Sequence, residues 1–521
     1  MKNIFIGRRF SLKASCILFT CLLIFCSCGT KKVNQEKKLT TNTRPNVILF
    51  YVDDLGYGDV GVYGAKGVKT PHLDALAKNG VMFTDAHCAA ATCTPSRYSL
   101  LTGNYAFRRK AAVLKGDAPL LIDTASQTLP KVFQAAGYKT AVVGKWHLGL
   151  GYGDIDWNKH ITPGPNEVGF DYSFLLPATG DRVPTVFVEN GWVVNADPND
   201  PIKVSYSERI DERPLGNERP DLLKQIADPQ HSNTIVNGMS RIGYMTGGKS
   251  ALWVDEDFPF IFTDKSKQFI NESKDQPFFL FYSFHDIHVP RMPHDSFKDK
   301  SEMGPRGDAI VQVDWVVGQM VDELEKLGLI ENTIIIFTSD NGPVLDDGYA
   351  DQSEELLGAH QPGGIYRGGK YSAFEAGTRV PTIVSWKGEV APKESNALVT
   401  QVDLLASMAK LVEQTVTQEV IDSEDQLAAW LGRSDQGREF MLEEAYTLAI
   451  RKGPWKYIRP VGYPTPQWLI NKKVDAGLSQ EDALYNLDND PSEEINAAQS
   501  EAEIVKEMSE MLQQIVDKTT R

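Results

Sequence analysis

Cysteine is nearly absent from the body of this chain. Of six cysteines, Cys16, Cys21, Cys26 and Cys28 crowd the first 28 residues, which leaves Cys88 and Cys93. A disulfide framework is excluded, and within the body only a single Cys88–Cys93 bridge stays open. Positive charge is also short: 54 Lys and Arg face 69 Asp and Glu, a formal net charge of −15. Nucleic acid and anionic membrane surfaces are thereby excluded as bulk partners, and an anionic substrate requires a local gathering of cations. No apolar run reaches the roughly 20 residues of a membrane span. Residues 45–521 hold no internal repeat or low-complexity block, and neither a Walker pattern nor a Rossmann glycine fingerprint.

What the sequence does have begins with an address. "MKNIFIGRRFSLKASCILFTCLLIFCSCGTKK" opens with Lys2, Arg8, Arg9 and Lys13 and continues as a short apolar run, the pattern of a signal peptide. Its end, "IFCSCGT", resembles a bacterial lipobox with Cys28 as the lipidated residue; ordinary signal-peptidase cleavage nearby is the alternative. The expectation is a signal peptide over 1–27 and a polar tether over 28–44. The protein would be an exported periplasmic or cell-surface lipoprotein of a Gram-negative bacterium, touching the membrane only through a lipid at Cys28.

At 42% hydrophobic and 24% charged, the rest is ordinary globular composition. Its apolar runs share a habit of ending in polar residues. "NVILFYVDDLGYGD" stops at Asp53 and Asp54, "YKTAVVGKWHLG" at Lys145 and His147, "PFFLFYSFHDIHVP" at His285, Asp286 and His288, and "TIIIFTSDNGP" at Asp340 and Asn341. Runs this apolar suit parallel strands covered on both faces. Helical patterns separate them. "TPHLDALAKNG" has Thr70 at the cap, Pro71 at the first helical position and Gly80 past the end. In "DAIVQVDWVVGQMVDELEKLG", Ile310, Val313, Val317, Met320, Leu324 and Leu327 line one face, closed by Gly328. Alternating strands and helices predict an α/β fold with a mostly parallel, doubly wound sheet. Ligands bind beyond the carboxyl ends of such strands, so the four polar clusters should meet. After about Gly432 the pattern changes to short antiparallel strands and a terminal helix. A catalytic domain over 45–432 and a smaller C-terminal α+β subdomain over 433–521 are expected.

Asp53, Asp54, Asp340 and Asn341 offer only oxygen. Crowded carboxylates repel unless a cation sits among them, and hard oxygen ligands favour Ca²⁺ or Mg²⁺ over Zn²⁺. The segment "CTPSRYSLLTG" resembles the first signature of the type I sulfatases, and "GYKTAVVGKWH" their second. The order of "YVDDLGYGD", "HDIHVP", "TSDNG" and "GGKYSAFEAGTRVP" is similar to the same family from about residue 45 to 390. The resemblance implies an alkaline phosphatase-like fold and hydrolysis of sulfate esters of carbohydrates.

It further implies that a separate maturation enzyme oxidises Cys93 to formylglycine. Hydrated, that residue offers one hydroxyl to attack sulfur and a second to expel sulfate by collapse to the aldehyde. A plain thiol would be left as an S-sulfonate with no easy exit. By the same resemblance Asp53, Asp54, Asp340 and Asn341 hold Ca²⁺, with Mg²⁺ the less favoured ion, and Arg97 orients the diol. Lys145 and Lys370 neutralise sulfate oxygens. His147 takes the proton from the second hydroxyl, and His288 protonates the departing sugar oxygen. His285 fits a supporting position, and Glu375 occupies a family position without an assigned role. The segment Asp171–Asp257 reads as a long insertion that lines the pocket, with Arg182 and Arg291 as candidate sugar contacts. It resembles exo-sulfatases for galactose or N-acetylgalactosamine sulfates. A phosphodiesterase or phosphonate hydrolase of the same superfamily, and a catalytically silent glycan-binding lipoprotein, are the competing readings.

Overall fold

Five apolar runs form the parallel centre of the main sheet. The computed structural model describes residues 44–521; the signal and lipobox expectations, and all but the last residue of the tether, lie outside the described residues. The ten strands are β1 (Asn46–Val52), β2 (Val81–Phe83), β3 (Lys139–Lys145), β4 (Tyr172–Leu176), β5 (Val188–Glu189), β6 (Trp192–Val193), β7 (Phe278–Ser283), β8 (Thr333–Ser339), β9 (Thr382–Trp386) and β10 (Lys393–Ser395). Their order across the sheet is β10-β2-β9-β8-β1-β7-β3-β4-β5-β6. From β8 to β4 all neighbours are parallel. Antiparallel pairs extend the sheet on either side, at β9–β8, β9–β2, β4–β5 and β5–β6.

The continuous apolar runs have a simple cause. Ile48, Phe50 and Val52 point to one face, where the helices Pro71–Lys78, Phe258–Ser273 and Gly304–Lys326 bury Leu73, Ile270, Ile310, Val313 and Val317. Val47, Leu49 and Tyr51 point to the other, against Leu100, Leu101, Val132, Phe133 and Leu404 of the helices Cys93–Thr102, Leu129–Ala135 and Leu404–Leu411. Each such side chain contributes about 1.5–3 kcal/mol by its burial, so both faces of the strand are selected for apolarity.

Gly80 lies just past the helix Pro71–Lys78 as expected, where a Cβ would stand 2.3 Å from the Val384 carbonyl oxygen. One local expectation needs correction. The segment Asp171–Asp257 is not wholly an insertion, since its start is β4, which completes the parallel centre. The remainder adds β5 and β6 and two small antiparallel pairs, Lys203–Ser205 with Tyr244–Thr246 and Ile235–Val236 with Met239–Ser240.

Toward the C-terminus, the strands Phe440–Glu444, Leu448–Lys452, Trp455–Ile458 and Ala483–Asn486 form a separate antiparallel sheet in that order. The helix Ala502–Asp517 buries Met508 and Leu512 against Leu442, Ile450, Tyr457 and Leu484, in a cluster that also takes in Ala89, Tyr105 and Val402. The α/β core with a small C-terminal sheet is as expected.

Candidate active site

The four strand ends meet, and the residues expected to act there are all buried, none more than 3% exposed. Asp53 and Asp54 follow β1, Lys145 ends β3, His288 follows β7, and Asp340 and Asn341 follow β8. Cys93 is the first residue of the helix Cys93–Thr102, whose ten residues are all buried. Lys370 arrives on an irregular loop after Gly369, where a Cβ would meet the Pro343 carbonyl oxygen at 2.3 Å. Asp54, His147 and Tyr371 all hold positive φ (60°, 54° and 73°), a cost that non-glycine residues bear where the surroundings dictate it.

Each carboxylate has a cation. The Lys145 ammonium bonds Asp53, the Lys370 ammonium lies 2.9 Å from Asp54, and Arg97 donates to Asp340 Oδ2 from Nε and Nη2 at 3.0 and 2.7 Å. Asp54 N donates to Asp340 Oδ1 at 3.2 Å, and the Asn341 amide donates to Asp54 Oδ1 at 2.8 Å. Two buried oxygens nevertheless have no partner, Asp53 Oδ1 and Asn341 Oδ1. Leaving such groups unsatisfied costs about 1–3 kcal/mol each, so both invite a cation. Burial pushes the Asp53 and Asp54 carboxyls up from the ordinary range, and neighbouring Asp340 adds to this. Asp340 feels the same burial, but Arg97, Lys145 and Lys370 outweigh it and hold its carboxyl low. Asp53, Asp54 and His288 have ligand atoms within 4.8 Å of one another. This oxygen-rich set fits a hard cation.

The second feature is the partnership at Cys93. His147 Nδ1 lies 3.3 Å from Cys93 Sγ, and Nε2 lies 2.9 Å from the Leu114 carbonyl oxygen. A carbonyl only accepts, so Nε2 carries the ring proton and Nδ1 presents a lone pair to residue 93. Burial, Lys145 and Arg182 hold His147 well below the ordinary histidine range, hence neutral. Burial also pushes the Cys93 thiol up, with Lys145 and Lys370 opposing it only in part. An activated cysteine needs a depressed pKa, so this thiol is poorly suited to attack by itself. Cys88 bonds instead to the Ala90 and Thr378 carbonyls, and both cysteines are free, so the Cys88–Cys93 bridge is not formed.

His288 donates from Nδ1 to the Val289 carbonyl at 2.7 Å, leaving Nε2 facing Asp54 Oδ2 at 3.9 Å. His285 packs edge-on against Phe258, its Nε2 buried and without a partner, and burial lowers its pKa to about 3. Arg291 is not a sugar contact: its guanidinium is fully enclosed, bonding Asp351 at 2.7 Å and the Ile287, Leu345 and Val344 carbonyls. Arg182 is braced by Thr179 and Asp181 at 2.7 to 2.9 Å and lies near enough to His147 to help hold that histidine low. Glu375 gains a structural explanation: Arg379, Arg451 and Lys456 surround it at the junction with the C-terminal sheet.

Sequence reasoning missed Asp347, Tyr371 and Lys472. Asp347 accepts from the Lys370 ammonium at 2.9 Å and the Tyr371 hydroxyl at 3.1 Å, and Lys472 stands 3.4 Å away. The nearest signal was the density of acids and glycine in "VLDDGYAD", which has no periodicity to interpret. A cavity of about 590 Å³ elsewhere is lined by His72, Val321, Thr333 and Ile335. It lies at the amino end of β8, away from these groups.

The sulfatase family model matches residues 45–414. An N-acetylgalactosamine-6-O-sulfatase of Bacteroides thetaiotaomicron is 49% identical over 499 residues, covering 95% of this chain and 96% of that protein. Human arylsulfatase A is 29% identical over 491 residues, covering 90% and 87%. A solved Bacteroides thetaiotaomicron structure, described under the metabolism of multiple glycosaminoglycans, superposes with a TM-score of 0.90 at 50% identity, covering 91% of this chain and all of that one. The phosphonate monoester hydrolase of Agrobacterium radiobacter shares the fold at a TM-score of 0.55 and 18% identity, covering 91% and 95%. Matched across its catalytic core by the family model and nearly end to end by one of these relatives, the chain belongs to the sulfatase family and is a sulfuric ester hydrolase.

Proposed function

We propose that this enzyme removes the 6-sulfate of N-acetylgalactosamine, or of the closely related galactose, from sulfated glycans. The observation that carries the reaction is Cys93 Sγ at 3.3 Å from the free Nδ1 of His147, beside an oxygen cluster with two unpartnered atoms. The sugar rests on the 49% identical N-acetylgalactosamine-6-O-sulfatase.

Asp53, Asp54, Asp340 and Asn341 are the proposed holders of a Ca²⁺ ion, which would supply Lewis-acid charge at a sulfate oxygen. Cys93 is the proposed site of formylglycine, formed by a separate maturation enzyme and supplying a hydrated-aldehyde hydroxyl in place of the unreactive thiol. Arg97, fixed to Asp340 and to Ser283 Oγ at 2.5 Å, orients residue 93 against the acidic cluster. Lys145 and Lys370 hold the sulfate oxygens. His147 accepts a proton at Nδ1 from residue 93 when sulfate leaves. His288 delivers a proton from Nε2 to the departing sugar oxygen. In the substrate-free site burial, Lys370 and Lys145 keep His288 neutral, so the negative charge of a bound sulfate ester is what favours its protonation. Export and a lipid anchor at Cys28 belong to the same proposal, since a glycan-degrading enzyme must meet its polymer outside the cytoplasm.

The test is sulfate release from N-acetylgalactosamine 6-sulfate, its 4-sulfate isomer and galactose 6-sulfate, with an aryl phosphate diester alongside. Turnover confined to the 6-sulfates supports the reading. Preference for the 4-sulfate would overturn the positional assignment, and preference for the diester would overturn the sulfate reading.

A further inference from the structure

Asp347 has no part in the reaction as set out above, yet it is a buried carboxylate beside a site for an anionic substrate. A negative charge there opposes sulfate binding unless it is spent on something else. Its oxygens face three donors: the Lys370 ammonium at 2.9 Å, the Tyr371 hydroxyl at 3.1 and 3.2 Å, and the Lys472 ammonium at 3.4 Å. We infer that Asp347 is a positioning residue, holding Lys370 toward the sulfate group, and that Lys472 of the C-terminal segment holds Asp347.

Lys370 is held from two sides. Its ammonium sits on a flexible four-carbon stem and has two carboxylate partners, Asp54 and Asp347, both at 2.9 Å. Asp54 belongs to the oxygen cluster proposed for the metal, where a dication would draw on the same carboxylate charge. Asp347 does not belong to that cluster. It is therefore the anchor for Lys370 that remains whether or not the cluster is filled.

Its surroundings are built for that task. Burial alone would raise the Asp347 carboxyl, but Lys370 and Lys472 outweigh it and hold the group ionised. Tyr371 takes a φ of 73°, with its amide donating to the Ala91 carbonyl at 2.7 Å, in the loop that leads to Cys93. That backbone conformation directs its hydroxyl to Asp347 while the ring packs on Trp468 with centroids 5.0 Å apart. Lys472 is only 9% exposed, and its Nζ has no hydrogen-bond partner. It stands between Asp347 and Asp228, at 3.4 and 3.5 Å, and so ties the C-terminal segment and the segment between β4 and β7 to the catalytic loop.

A residue that acts through Lys370 acts on sulfate, which every substrate shares. A residue that touched the sugar would matter for sugar sulfates alone. This rests on the proposed sulfate-binding role of Lys370, so the test separates the two ideas. Inorganic sulfate binding to the matured, calcium-loaded enzyme is measured by calorimetry, together with kcat/KM for nitrophenyl sulfate and for N-acetylgalactosamine 6-sulfate. Asp347→Asn should weaken sulfate binding and lower both kcat/KM values by a common factor of roughly 10–100, as misplacement of a binding group does, with calcium content unchanged. Lys472→Met should move the same three readouts in the same direction by a smaller factor. Should Asp347→Asn not fold, Tyr371→Phe, which keeps the ring, carries the test. A loss confined to the sugar sulfate with sulfate binding intact would overturn the inference in favour of a sugar contact. Unchanged sulfate binding and unchanged rates would overturn it outright. A wild-type enzyme that releases sulfate from neither ester would refute the functional reading, while calorimetry on Asp347→Asn would still decide the positioning.

Discussion

Two buried acidic clusters in this protein look alike in composition and differ in how their oxygens are used. At the carboxyl ends of the strands, Asp53, Asp54 and His288 are within ligand distance of one another; at the junction with the C-terminal sheet, so are Asp85, His87 and Glu375. In the second cluster every ligand atom of Asp85, His87 and Glu375 has a partner, while the neighbouring Glu443 Oε1 and Glu493 Oε1 have none. Glu375 takes Arg379, Arg451 and Lys456, and Asp85 takes Arg379, Arg451 and His87. His87 Nδ1 meets the Thr378 hydroxyl at 3.1 Å. In the first, Asp53 Oδ1 and neighbouring Asn341 Oδ1 are buried and alone. Closeness of acids therefore does not identify a cation site; at the strand ends the unpartnered oxygens belong to the proposed ligands themselves, whereas at the junction they belong to Glu443 and Glu493, outside the triad and facing the Lys456 ammonium. The junction cluster is a bolt between two sheets, and the strand-end cluster is the proposed cation receptor.

Cys93→Ala breaks that comparison most severely at the chemical end. It should reduce sulfate ester turnover below detection while far-ultraviolet circular dichroism and melting temperature stay close to wild type, because it removes one sulfur from a helix start that otherwise keeps its partners. Substantial turnover by this variant would rule out a nucleophile derived from residue 93.

His288→Ala sharpens the division of labour within the receptor cluster. A sugar alkoxide needs a proton as its S–O bond breaks, and a nitrophenolate does not. In single turnovers the variant should slow sugar sulfate hydrolysis by roughly 10²–10⁴-fold, with a far smaller effect on nitrophenyl sulfate. His147→Ala should instead affect both alike once release of sulfate limits turnover. Equal losses for both substrates with His288→Ala would assign that histidine to binding.

The smallest effect concerns a group in neither cluster. Glu444, in the strand Phe440–Glu444, accepts only from the Phe107 amide at 2.9 Å, and burial pushes its pKa from 4.5 up to about 8. The folded protein thus keeps a proton that the unfolded chain releases. Stability from this group is full below about 4.5 and is lost as pH rises through about 8. Glu444→Gln removes the dependence, so its melting temperature relative to wild type should climb between pH 5 and pH 8.5. At about 1.4 kcal/mol per unit, the full span is on the order of a few kcal/mol. A difference that stays flat across this range would show that Glu444 is ionised or solvated in the folded protein.

How much of this was legible follows from the physics of each part. The strand ends could be read because a parallel strand packed on both faces must be apolar throughout, so the first charged residue marks its carboxyl end. Asp53, Lys145 and Asp340 were found that way, whereas His288 lies beyond His285 and Asp286 and was singled out only by its place in the family motif. Cys93 needed the surrounding Cys-x-Pro-Ser-Arg signature, since the wholly buried helix Cys93–Thr102 has no amphipathic face to announce it. Asp347, Tyr371 and Lys472 lie on irregular backbone, where no period ties sequence to position, and they come from segments more than 100 residues apart at the extremes. Arg291 was misread for the opposite reason: arginine usually prefers the surface, and only the enclosing carbonyls of Val344 and Leu345 reveal that it is a buried brace. The start of the presumed insertion was β4, too short to outweigh the long polar stretch behind it.

The most direct test of the central claim is metal content measured on purified Asp340→Ala and Glu375→Ala beside wild type. Calcium should be present in wild type and in Glu375→Ala, and absent from Asp340→Ala. Glu375→Ala should at the same time lose about 3–5 kcal/mol of stability, the usual cost of breaking a buried charge network. Calcium retained by Asp340→Ala, or lost from a folded Glu375→Ala, would contradict the assignment of receptor and bolt.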